Sequence, residues 1–379
     1  MISFTRSSPS LNELLARGIY TIPAGLPFAQ DLAAGILASV QTPEQLAEIK
    51  ILLPSRRAAQ ALKTAFIQQS EGQALFLPDM QPIGDVDELD PGYLSQHFQA
   101  DDLSDLLPAI SLTDRQMILA RLIQSRSVSG QPLSAAQAFR LAASLARFLE
   151  QIYQSGGCFS DLKEADIPPE FARHWSEIVT FLGIVLQNWP EITKEMGVMD
   201  PSVRRLALLD KQLHNWSEQP PKTPVILAGS TGSLPKTVAL MRAVRALPAG
   251  LLVFPGHDGS LVSTDDLSSI LGDVGHPLHQ LFTTFASLDV TPDMVPVWPA
   301  CSCQPVITAR TALMRQVLLP AEQTAQWRQI ARDHPEVDAT ALTGLRLVEA
   351  NDTHHEADII ACLMRETLET REKTAMLVT

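Results

Sequence analysis

Five short apolar runs, each cut off by proline or glycine, constrain this chain more than any other feature. They lie at 18–22, 49–53, 74–77, 224–228 and 250–254. Runs this short and this apolar have the pattern of strands buried on both faces of a parallel sheet. Helical periodicity fills the gaps between the first three. Residues 28–40 place apolar side chains at 28, 32, 33, 36, 37 and 40, one face of a helix. Residues 56–69 continue as a helix after Ser55, a good N-cap. Alternating strand and helix predicts an α/β fold with parallel strands and right-handed crossovers.

Between the third and fourth runs the strand signal vanishes. Thr113-Asp114 opens a helix that runs through Gln124, and Ser134 opens another through Tyr153. Residues 170–188 form a third, with Trp175, Ile178, Phe181, Leu182 and Val185 on one stripe. An all-helical module thus interrupts the sheet domain. The sheet pattern returns at 224–228, followed by a helix over 236–246 and the strand 250–254. Residues 256–306 read as loop-rich. A late strand at 345–349, a helix over 356–368 and a last strand at 374–379 complete the pattern. At ~150 residues per domain, 379 residues carry two or three domains. The division that follows is 1–98, the first part of a parallel-sheet domain; 99–200, the helical insertion; 201–310, the second part of the sheet domain; and 311–379, the start of a second α/β domain. A parallel strand normally leads into a crossover, so a chain stopping on one is expected to be part of a longer protein.

Apolar residues make up 45% of the chain and charged residues 19%, which excludes disorder and coiled coil as descriptions of the whole. No apolar run approaches the ~20 residues of a membrane span. Residues 1–17 lack a cationic segment followed by an apolar one, so no secretion signal is read. Cys158, Cys301, Cys303 and Cys362 form no CxxC pair, and the CxC at 301–303 has no further soft ligands nearby. Free thiols in a reducing cytoplasm are expected, with no metal. Lys and Arg number 29 against 42 Asp and Glu, a net charge of −13. That balance argues against a broad electrostatic grip on nucleic acid and leaves room for a narrow basic groove.

Six segments invite a chemical reading. The turn Pro23-Ala24-Gly25-Leu26-Pro27 stands where a P-loop would stand, after the first strand and before a helix. A P-loop needs paired glycines so that backbone N–H groups cradle phosphate, then Lys and Ser/Thr for charge and Mg²⁺. Gly25 has none of those companions, so ATP hydrolysis is not expected there. A second loop, Gly229-Ser230-Thr231-Gly232-Ser233-Leu234-Pro235, follows a strand and ends in Lys236-Thr237. Proline replaces the second P-loop glycine and the first is one residue out of register. Nucleotide binding, a contact to one backbone phosphate and a plain turn all remain open for Gly229, Ser230, Thr231 and Gly232. Ser55, Arg56 and Arg57 follow the second strand at a helix start, a placement suited to phosphate oxygens, although surface arginines are common. Asp85, Asp87, Glu88 and Asp90 cluster as two-metal nuclease carboxylates do, but in a loop, so a solvated loop is the better reading. His354, His355 and Glu356 are successive residues, which a helix points about 100° apart, so helix-start polarity explains them better than a metal. His276 and His279 share a helical face without an evident third ligand.

Taken in order, Tyr20 to Phe28, Ile51 to Ala58, Leu77 to Glu88, Ala228 to Pro235 and Lys373 to Thr379 resemble the N-terminal part of AddB, the double-strand-break repair subunit of AddAB helicase–nucleases, in its alphaproteobacterial form. Pro82-Ile83-Gly84-Asp85-Val86-Asp87-Glu88 and Ala228-Gly229-Ser230-Thr231-Gly232-Ser233 are the most specific parts. The resemblance implies a superfamily 1 helicase-type architecture, with RecA-like, P-loop NTPase-like domains carrying helical insertions. It implies a role in homologous recombination as an ATPase-degenerate, helicase-like scaffold that binds single-stranded DNA and double-stranded ends. An AddA-type partner subunit would act as the motor and supply ATP and Mg²⁺. The family is an ATP-dependent helicase/exonuclease, whose nuclease carboxylates and iron–sulfur cysteines lie beyond residue 379; no catalytic or metal residue of this sequence is therefore assigned, and no cofactor is expected within it. By the same resemblance, Ser55, Arg56 and Arg57 are similar to the helicase motif that touches the single-strand backbone, and Gly229, Ser230 and Thr231 occupy a loop after a core strand, where helicases couple nucleotide to DNA.

Overall fold

The computed structural model describes residues 9–70, 72–83, 106–125, 133–156, 182–183, 188–260, 262–302, 304–319, 321–333 and 338–378. The chain divides into two compact units: Met1–Cys303 with Leu318–Ala325, and Gln304–Val317 with Gln326–Thr379.

The first unit is built on five parallel strands: β1 (Ile19–Pro23), β2 (Lys50–Leu53), β3 (Asp79–Pro82), β4 (Val225–Ala228) and β5 (Gly250–Gly256). Their order across the sheet is β1-β5-β4-β2-β3. Successive side chains go to opposite faces, and both faces are buried, which is why the strands read as unbroken apolar runs. Ile51, Leu53, Ile226, Ala228, Leu251 and Val253 pack under α2 (Phe28–Ser39) and α4 (Arg56–Gln69). Leu52, Val225, Leu227, Leu252 and Phe254 pack under α8 (Pro235–Ala246) and α10 (His279–Ser287). Two short helices, α1 (Leu11–Arg17) and α3 (Pro43–Ala47), complete the first face.

The helical module belongs to the same unit. Ser111 caps α5 (Leu112–Gln124), and a Ser134–Gln137 capping box opens α6 (Ala135–Ser155). Leu119, Ile123, Ala138, Ala142, Leu149 and Trp189 form its core. Asp200 holds the module's far end together: it caps α7 (Pro201–Glu218) through Ser202 N–H at 2.9 Å, accepts the Trp189 indole N–H at 3.0 Å, and lies 2.9 Å from the guanidinium of buried Arg115. Helix α7 packs on both α6 and α8 and so joins the module to the sheet.

Beside β1 runs a strap. Thr21 N–H donates to Pro296 O at 2.9 Å and Trp298 N–H to Thr21 O at 2.8 Å. The Trp298 ring meets Tyr20 edge-on, and its indole N–H donates to Asp31 O at 3.0 Å. Gly35 on α2 has no side chain because Trp298 occupies that space.

The structure corrects three expectations. The third strand lies at Asp79–Pro82, not 74–77: β3 is an edge strand, so it tolerates Pro82 and needs no continuous apolar run, while Phe76 is exposed. Residues 256–306 hold two helices, α9 (Thr264–Gly272), capped by Ser263, and α10, whose Leu281, Phe282 and Phe285 are buried. The strands expected at 345–349 and 374–379 join no sheet among the described residues; Leu347 is 90% and Met376 85% exposed, with no neighbouring strand to satisfy them. The helix expected over 170–188 lies almost entirely outside the described residues, as do Asp85, Asp87, Glu88 and Asp90.

The second unit contains α11 (Pro305–Val317), α12 (Trp327–Asp333) and α13 (Thr353–Leu368). Arg310 donates to Ala341 O at 3.0 Å, and Trp327 Nε1 to Gln316 O at 2.6 Å. Asp352 caps α13 through His355 N–H at 2.8 Å.

Candidate functional site at the sheet switch point

The strand order reverses between β2 and β4. From β2 the chain passes through α4 on one face to β3; from β4 it passes through α8 on the other face to β5. The loops after β2 and β4 therefore diverge, and a crevice opens at the carboxyl ends of these two strands, the place where open α/β sheets take ligands. Pro54 and Gly229 stand side by side there, and a Cβ on Gly229 would lie 3.7 Å from Pro54 Cδ.

The turn after β1 reaches the same point. Gly25 adopts φ +85° and turns the chain into α2, whose N-cap is Pro27 and whose first residue is Phe28. The Phe28 ring lies against Gly229 and, with Leu53, Pro54, Ala58 and Leu62, walls a hollow of about 240 Å³ made of apolar residues. Asp31, one turn into α2, is buried and accepts from Ser302 N–H and Oγ–H at 3.3 and 3.4 Å. Burial raises its pKa, against the two hydrogen bonds from Ser302. A triphosphate needs N–H donors, a cation and a hydroxyl at this helix start. The residues present, Pro27, Phe28 and Asp31, do not fit it.

Ser55, Arg56 and Arg57 stand on the rim above β2. Ser55 Oγ accepts the Ala58 N–H at 3.2 Å and so serves as the cap of α4. Arg56 and Arg57 are exposed on the first turn.

The loop after β4 is tied down. Thr284 Oγ–H donates to Thr231 O at 2.7 Å, Gln280 Nε2 to Gly232 O at 3.1 Å, and Ser230 Oγ accepts Gly232 N–H at 3.3 Å. Gly232 has φ +73°, and a Cβ there would come within 2.6 Å of Thr284. Lys236 is ion-paired with Asp210 on α7, directed away from the phosphate-lysine role its sequence position suggests.

Three loops distant in sequence thus converge on Phe28, Pro54 and Gly229. On the opposite side of this point a second cavity, of about 170 Å³, opens between the sheet end, α7 and α8. Leu52, Leu208 and Leu240 supply apolar walls, and Gln212 and Thr237 line it. The sequence offers one signal for Gln212: it continues the buried Arg204, Leu208 stripe of α7 at a spacing of four. Thr237 carries none beyond its place in the loop-helix segment.

His276 Nδ1 accepts Leu278 N–H at 3.1 Å, and His279 Nδ1 lies 3.1 Å from Ile270 O, so both histidines serve local backbone. Among the described residues no group of three or more His, Cys, Asp or Glu converges as a metal site would require, and no helix is long and apolar enough to cross a membrane. No protein-family model and no curated protein matches this chain.

Proposed function

We propose that this chain is a helicase-like scaffold, of RecA-like type, in an AddAB-type complex that processes double-strand DNA ends for homologous recombination. It holds single-stranded DNA on the carboxyl-end rim of its sheet while an AddA-type partner subunit provides ATP-driven movement. The observation that carries this reading is the β1 turn: a strand-turn-helix in the P-loop position, in a parallel α/β sheet, whose helix start presents Phe28 packed on Gly229 where phosphate chemistry would need charge. A parallel α/β sheet of the kind nucleotide motors are built on supports the reading, as does a helix start without the groups of a triphosphate grip. Arg56 and Arg57 stand on the same rim and suit backbone phosphates. A net charge of −13 leaves this local pair, rather than the whole surface, to attract a strand.

The test is the salt dependence of single-strand affinity. Arg56→Ala with Arg57→Ala lowers the log–log slope by about 1.4, two contacts at roughly 0.7 each. An unchanged slope removes the pair from the DNA path.

A further inference from the structure

The 170 Å³ cavity between α7 and α8 carries an unspent hydrogen-bonding capacity. Gln212 is 8% and Thr237 7% exposed, and both line it. Neither side chain forms a hydrogen bond to another described residue, and both open onto the hollow. Their polar atoms are not fully sealed from solvent, so water can satisfy them and a ligand with matching groups can take its place. Here both face the same hollow, from two helices, against walls of leucine.

The rim is electrically balanced. Lys236 is paired with Asp210, and Arg205 lies 3.4 Å from Glu150. The cavity therefore asks for a neutral body with an apolar face and a polar edge. A glutamine amide presents a donor and an acceptor side by side, which matches the adjacent acceptor and donor on the edge of a nucleobase. The size suits one flat ring system, since an engineered cavity of about 150 Å³ takes benzene.

We infer that this cavity is a binding site for a single nucleobase, read at its edge by Gln212 with Thr237 beside it. The base has two possible sources with the same chemistry: a free nucleoside, or one unstacked base of a DNA strand crossing the rim at Pro54. The strand source rests on the function proposed above; the nucleoside source does not.

The experiment titrates the full chain with the four free nucleosides and, separately, with four homopolymeric single-stranded oligonucleotides, by calorimetry. One base is expected to bind best. Gln212→Leu is expected to weaken that base at least about tenfold and erase the preference, and Gln212→Glu to change which base is preferred. Thr237→Val is expected to weaken the same base. The Leu variant removes an unpartnered amide from an apolar wall, so its urea midpoint should not fall, which separates a lost site from a lost fold. Saturable nucleoside binding identifies the free ligand; preference among oligonucleotides alone identifies the strand. Absence of any base preference in both arms, or a preference that survives Gln212→Leu, overturns the inference. If oligonucleotides bind with the arginine-dependent slope but without a Gln212 effect, this site fails and the scaffold reading stands. If nucleosides bind and oligonucleotides do not, the scaffold reading fails and this site stands.

Discussion

The Phe28 ring rests on the α carbon of Gly229, so closely that a methyl group added there would come within 3.2 Å of Phe28 Cε1. The contact joins the start of α2, after the β1 turn, to the turn after β4.

Gly229→Ala should therefore destabilise the chain by about 1–2 kcal/mol, because it adds a side chain at φ +79° and presses on Phe28. A urea unfolding curve measures it. An unchanged midpoint would mean that the contact is loose.

Triphosphate should add nothing. ATP with Mg²⁺ is expected to shift the melting temperature no more than adenosine does, and Lys236→Ala to leave the shift unaltered. A true triphosphate site at a hundredfold excess over Kd would add roughly 2.7 kcal/mol, which a thermal scan resolves readily. A magnesium-dependent gain would revive the NTPase reading of residues 229–237.

Asp200→Ala should be among the most damaging single changes in the helical module. It strands the buried Arg115 guanidinium, removes the α7 cap and orphans the Trp189 indole. A cost of about 3–5 kcal/mol is expected. Arg115→Met with Asp200→Asn should cost clearly less than the sum of the two single changes, and simple additivity in the double-mutant cycle would argue against coupling.

Asp31 supplies a pH prediction. Burial raises its folded pKa above the ordinary 3.8, although Ser302 hydrogen bonds oppose the rise. The group then contributes stability below the unfolded value and loses it as pH climbs through the folded one. Asp31→Asn, which keeps an acceptor for Ser302, should match the wild type near pH 3.5 and exceed it at pH 7. Parallel urea midpoints at the two pH values would contradict this.

Cys301 should resist alkylation. Burial, with the nearby Asp31 carboxyl, pushes its pKa up to about 12, whereas Cys362 is exposed on α13. Peptide-resolved labelling with iodoacetamide at pH 8 should modify the exposed Cys362 first, with Cys301 much slower. Equal rates would show that the strap around Trp298 opens freely.

Much of the fold was legible because buried strands have to be apolar on both faces. β1, β2, β4 and β5 lie within a residue or two of the runs that announce them, and α4 spans the residues its Ser55 cap and periodicity indicate. β3 escaped because an edge strand reading Asp-Met-Gln-Pro carries no such constraint. α9 and α10 escaped because serine, glycine and proline crowd their flanks and hide caps such as Ser263. The strand order could not be read at all, since partner choice depends on crossover geometry rather than on local pattern. At the site, Ser55 to Arg57 and Gly229 to Gly232 were visible as loop residues after strands. Gln212 drew no reading from the sequence, because burial is a property of what α8 and the sheet bring against it.

The strap at Pro296–Trp298 and the position of β1 have a consequence for synthesis. β1 is made before the other strands of its sheet, yet its partner β5 begins at Gly250 and the segment on its other side is completed at Trp298. β2 and β3 are the two paired strands already present before residue 225, and a two-stranded ribbon is marginal alone. On the ribosome, the α5–α6 hairpin, with its contacts close in sequence, folds early, and β1 waits for roughly 230 residues before its partner strand β5 can pair with it.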